Sequence, residues 1–161
     1  MSSEKCGYEK ALKQAQALGF AEADPSSDVE GYDAAYKLSI LASLAFHTCV
    51  PYGSIYREGI TKVTAQDITN AHALGYEIKL IAIGMRDGDS VEARVHPLFV
   101  PSDHPLASVS GAYNAVYLNG DHVGDLMFYG AGAGAHPTGS AIVSDVIKAL
   151  TGAPKYADFR N

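Results

Sequence analysis

The segment Ala21–Lys37, "AEADPSSDVEGYDAAYK", gathers the carboxylates Glu22, Asp24, Asp28, Glu30 and Asp33 and closes on Lys37, in a chain charged at only 19% of its positions. Asp33 and Lys37 are four residues apart at the start of a helical pattern, so they share a face. The acidic member lies on the N-terminal side, where it suits the helix dipole and can pair with the lysine. An isolated pair of this kind is an ordinary surface contact worth a few tenths of a kcal/mol. The apolar run "LSILASLAF" that follows Lys37 directly points instead to a partly buried cleft. There desolvation would lower the ammonium's pKa and Asp33 would raise it, a combination that tunes a lysine to move a proton. Glu22 and Asp28 are then available to bind a cationic group through charge-assisted hydrogen bonds.

The elements that must position these residues are legible from periodicity. Tyr8–Leu18 carries apolar residues at helical spacing and is stopped by Gly19, and a second helix starts near Tyr32, apolar nearly all round and so expected to be mostly buried. Gly59–Val63 resembles a short strand, and Thr64–Asp67 reads as a capping box opening a helix that ends at Gly75. Beyond Gly75 the period becomes alternating. "YEIKLIAIGMR" and "SVEARVHPLFV" flank Asp87-Gly88-Asp89, and "AYNAVYL" and "HVGDLMFY" flank Asn119-Gly120-Asp121, which predicts two antiparallel hairpins. A last helix begins at Pro137-Thr138 and ends at Gly152 and Pro154. The expected class is α+β: a mainly antiparallel or mixed sheet of about four strands, with helices packed on one face.

The chain's 161 residues, 47% of them hydrophobic, suit one domain with a real core, residues 1–161. A formal net charge of −6 without any Lys/Arg cluster argues against nucleic acid as a partner. The longest apolar run is too short to span a bilayer and no signal peptide is evident, so no membrane partner and a cytoplasmic location are expected. Cys6 and Cys49 lack the spacing of a disulfide framework or a thiolate zinc site, and no metal is expected. Gly130, Gly132 and Ala135 imitate the G-x-G-x-x-A dinucleotide fingerprint after an apolar strand. Too little chain follows, however, for the crossover helix, second parallel strand and acidic residue of a Rossmann half. These glycines more simply let backbone come close to another segment or to a ligand bound elsewhere.

Ala15-x-x-x-Gly19-Phe20-Ala21-x-x-Asp24-Pro25-x-x-Asp28-Val29-x-Gly31-x-Asp33-x-x-x-Lys37 closely resembles the signature of homoserine dehydrogenases. The resemblance continues through "RVHPLFV", "HPLASVSGAYNAV" and "GAGAGAHPTGSAIVSD". It implies the substrate-binding and dimerising domain of an enzyme that reduces aspartate semialdehyde to homoserine with NAD or NADP in threonine and methionine biosynthesis. Lys37 would then donate the proton to the carbonyl and Asp33 would orient it. Glu22, Asp28 and Asp24 would hold the amino-acid substrate, and the Gly132 and Gly134 region would pass near the cofactor. His104 of "DHPLA" is a second-tier candidate, because a histidine before proline is more often a turn residue. The nucleotide-binding domain that precedes this segment in the family, with its second active-site lysine, is missing. The chain is therefore expected to be part of a longer enzyme and inactive alone. A non-enzymatic amino-acid-binding or dimerisation module is the alternative.

Overall fold

The computed structural model describes residues 8–17 and 21–152. The expected stops at Gly19 and Pro154, and Cys6, lie outside the described residues. The chain divides after Ser102 into two compact units.

The first unit contains α1 (Tyr8–Ala17), the one-turn α2 (Ser26–Val29), α3 (Tyr32–Phe46), β1 (Tyr56–Arg57), α4 (Ala65–Ala73), β2 (Tyr76–Asp87) and β3 (Ser90–Pro101). β2 and β3 form the expected hairpin, paired from Tyr76↔Pro101 to Asp87↔Ser90. Gly88 supplies the positive φ of 57° that its turn requires. β1 pairs in parallel with the other edge of β3, giving a mixed sheet of order β1-β3-β2.

α3 lies on this sheet. Its Ala35, Leu38 and Ala42 join Val50, Ile55 and Val95 in the core, with Leu80, Val91 and Ala93 packed against them. Complete burial of Val95 contributes roughly 1.5–3 kcal/mol by itself. Gly84 lets the helix close in, since a Cβ there would stand 3.4 Å from both Leu38 and Phe46. α4 starts in a complete capping box: the Thr64 hydroxyl accepts from the Asp67 N–H while the Asp67 carboxylate accepts from the Thr64 N–H. Its inward residues Ile68 and Ala71 are buried.

The second unit holds a 3-10 turn at Pro105–Ser108, the hairpin of β4 (Tyr113–Gly120) and β5 (Gly124–Ala131), and α5 (Ala135–Thr151). Tyr113 and Tyr129 stack face to face across the hairpin with centroids 4.9 Å apart. α5 buries none of its residues.

The class is α+β, as expected, with both hairpins in place. Several details differ. The two hairpins belong to separate sheets, a three-stranded and a two-stranded one, rather than to one sheet of four. The short strand is Tyr56–Arg57, and 59–63 is a turn. Gly59 is pressed so closely on the 29–30 backbone that its Cβ would lie 2.5 Å from the Val29 carbonyl, and the Ile60 N–H bonds that carbonyl instead of a neighbouring strand. α3 is buried along one stripe only; Ile40 is 62% exposed, and Leu41 and Leu44 are also open.

Candidate functional site

Asp33 and Lys37 sit on the first two turns of α3, and the structure joins them: Lys37 Nζ lies 2.6 Å from Asp33 Oδ2. Both side chains are open to solvent, 57% exposed for the lysine and 42% for the aspartate. The partial burial expected for Lys37 is therefore not present: of the apolar run after it, Leu38 and Ala42 are buried in the core, while Ile40, Leu41 and Leu44 are open to solvent like the lysine. Burial is found at Lys79 on β2, where desolvation pushes the ammonium pKa down and Glu77 acts against it.

α3 begins at Gly31, which is left-handed (φ 77°) and provides no side-chain cap. What holds this start comes from another part of the chain. Arg57 Nη1 donates to the Glu30 carbonyl at 2.6 Å, and its guanidinium carbon lies 3.4 Å from the centre of the Tyr32 ring. Thr61 Oγ1 donates to Glu30 Oε1 at 3.0 Å, and the Ile60 N–H donates to the Val29 carbonyl at 2.8 Å. Tyr36, beside Lys37, stacks on Tyr52 with centroids 4.3 Å apart. Desolvation and a hydrogen bond with Tyr36 raise the Tyr52 phenol, while Arg57 lowers it.

The other candidate carboxylates separate. Asp24 accepts from both the N–H and the hydroxyl of Ser26, and these bonds lower its pKa. Both bonds fall on Oδ1 and shape the entry to α2. Glu22 and Asp28 are exposed, and the Glu22 backbone carbonyl accepts from Gln16 Nε2 of α1 at 2.9 Å. Arg57, Thr61 and Tyr52 escaped sequence reasoning. The Arg57–Glu30 bond spans 27 residues, and no local period reports such a contact.

In the second unit, Gly132 serves the protein's own packing: a Cβ there would fall 1.3 Å from Asn114 Nδ2. Gly134, at φ 122°, is the residue before α5, whose first turn has no acidic side chain. That helix start is compatible with a phosphate group. His104 behaves as a turn residue, its Nδ1 accepting from the Leu106 N–H at 3.1 Å, and its ring lies 4.9 Å from that of Tyr117. Asp125, bonded by Asn119 and Tyr117, has its pKa lowered. Among the described residues no group of three or more His, Cys, Asp or Glu side chains is arranged to hold a metal ion.

The Asp33–Lys37 pair thus stands at an accessible helix start, with the exposed carboxylates Glu22 and Asp28 on the segment before it. The family model described as homoserine dehydrogenase matches residues 1–147. The chain is 54% identical over 154 residues to homoserine dehydrogenase of Mycobacterium tuberculosis, covering 92% of this chain and 35% of that protein. With the Bacillus subtilis enzyme it shares 49% over 150 residues, covering 93% and 35%. Among solved structures, homoserine dehydrogenase from Staphylococcus aureus superposes with a TM-score of 0.88 at 46% identity, over the whole of this chain and 41% of that one. A hyperthermophilic archaeal homoserine dehydrogenase mutant in complex with NADPH superposes at 0.71 with 30% identity, over 92% and 42%. The chain belongs to the homoserine dehydrogenase family. It spans about a third of the length of the curated relatives it matches.

Proposed function

We propose that this chain is the substrate-binding and catalytic portion of an enzyme that interconverts L-aspartate 4-semialdehyde and L-homoserine with NAD or NADP, in cytoplasmic threonine and methionine biosynthesis. The observation that carries the proposal is the Asp33–Lys37 pair at 2.6 Å on the solvent-facing start of α3, in a chain of this family. Lys37 Nζ gives a proton to the aldehyde oxygen in reduction and takes it back in oxidation. Asp33 holds the ammonium in the direction of transfer. Glu22 and Asp28 bind the amino group of the substrate, with Asp24 shaping the loop that carries them.

A nicotinamide cofactor, when bound, supplies or accepts the hydride. On this chain the backbone at Gly134 and the start of α5 would meet it, with Gly132 keeping the approach narrow. Both units would work as one catalytic and dimerising domain. The non-enzymatic alternative is less well supported, because it assigns no task to a lysine held at its carboxylate.

The test joins this chain to the nucleotide-binding half of the Bacillus subtilis relative and follows homoserine-dependent NAD(P) reduction. Lys37→Ala should lose about 10²–10⁴ in kcat with little change in KM, the usual worth of general acid–base catalysis. The chain alone should turn over nothing. Near-normal kcat in Lys37→Ala would place the proton donor elsewhere.

A further inference from the structure

We infer that Arg57 is a positioning residue for the candidate site, acting through the start of α3; this rests on Asp33 and Lys37 being the working pair. A helix start without a side-chain cap leaves its first N–H groups unpartnered and frays unless something outside the helix holds it. α3 is such a helix, and Asp33 and Lys37 occupy the turns that fraying would move. The restraint on them comes from residues 57–61, and Arg57 makes two of its contacts at once.

Its Nη1 fixes the carbonyl of Glu30, just before the left-handed Gly31. Its planar face covers Tyr32, the first residue of α3. Arg57 is itself fixed. It pairs with Val95 in the parallel β1–β3 ladder, the next residue's N–H bonds the Val95 carbonyl at 2.8 Å, and Val95 is completely buried. The same valine leaves no room above Gly31, whose Cβ would meet Val95 Cγ1 at 3.1 Å and Arg57 Cγ at 3.4 Å. Position is thus transmitted from the rigid centre of the sheet through one guanidinium to the turn that sets where Lys37 Nζ points. Lysine can substitute only in part, because it lacks both the flat face and the fork.

Amide hydrogen exchange on the full chain is the direct test. In Arg57→Ala, amides of 35–37, the first to be hydrogen-bonded within α3, should exchange about tenfold faster, the loss expected for one hydrogen bond and one cation–π contact, while β2–β3 amides keep their protection. Arg57→Lys should recover only part of the loss. In the joined enzyme, Arg57→Ala should lower kcat about tenfold with KM for homoserine changed much less, because the proposed substrate-binding carboxylates Glu22 and Asp28 are left in place. Unchanged exchange at 35–37, or faster exchange with unchanged kcat, would overturn the inference. If Arg57→Ala also exposes the hairpin amides, Arg57→Lys decides: full protection and full kcat in that variant would count against it. Lys37→Ala, measured alongside, separates the two levels. If that variant keeps its kcat, the assignment of the working pair fails; if it loses kcat while Arg57→Ala does not, only the positioning role fails.

Discussion

The acidic residues around α2 look interchangeable in a string of letters, but in the fold they have different occupations. Asp24 already receives two hydrogen bonds from Ser26, Glu30 is bonded by Thr61 and Asp33 is paired with Lys37. Glu22 and Asp28 are the exposed carboxylates left to meet a substrate. Glu22→Gln should therefore raise KM for homoserine roughly tenfold or more in the joined enzyme, as loss of a charge-assisted hydrogen bond implies. Asp24→Asn should leave KM nearly unchanged and register in the thermal midpoint instead. Steady-state kinetics beside a melting curve for each variant separates the two, and a KM effect in Asp24→Asn would return that residue to the binding set. The Asp33–Lys37 pair was legible because helical spacing is local. Arg57 was not, because its importance exists only once β1 lies against β3.

At the level of elements, sequence served best where one short pattern decides the outcome. Asp87-Gly88 produced the β2–β3 turn, and Thr64 with Asp67 produced the box at the start of α4. It served worst around Gly59, where the backbone is claimed by Val29 and Glu30 rather than by a strand, and in the acidic segment, where α2 is too short to leave a period. The α4 box carries a pH dependence. The Thr64 hydroxyl is the largest cause of the lowered Asp67 pKa, followed by the Thr64 N–H. A carboxylate whose folded pKa lies below its unfolded value, about 3.9 for aspartate, adds stability that is present above that value and disappears as pH falls through the folded one. Chemical unfolding should thus show Asp67→Asn less stable than the parent chain at neutral pH, with the gap closing as pH falls below the ordinary aspartate value. Thr64→Ala should cost about 1 kcal/mol at neutral pH. A gap independent of pH would mean that the charge of Asp67 contributes nothing.

For the molecule as a whole, exposed apolar side chains are more numerous than a freely soluble monomer needs. Phe128 at 62% exposure, Tyr129, Leu118 and Leu126 line the β4–β5 hairpin, and Ile142, Val143, Val146, Ile147 and Leu150 stand open on α5. We expect the purified chain to form a homodimer through its hairpins, burying more than about 1,000 Å². Sedimentation velocity checks this: a single 17.0 kDa species across micromolar concentrations would refute it, and Phe128→Glu should produce that monomer. Leu80 packs against the core of the first unit, so charging it would destabilise that unit rather than report on an interface. The parallel pairing of Tyr56–Arg57 with Arg94–Val95 also has a consequence in time. A chain leaving the ribosome presents the acidic loop and α3 well before β3 has been synthesised, and closing that long connection carries an entropy cost that the local β2–β3 hairpin does not. The contacts that Arg57 makes with the start of α3 thus depend on a strand encoded after them.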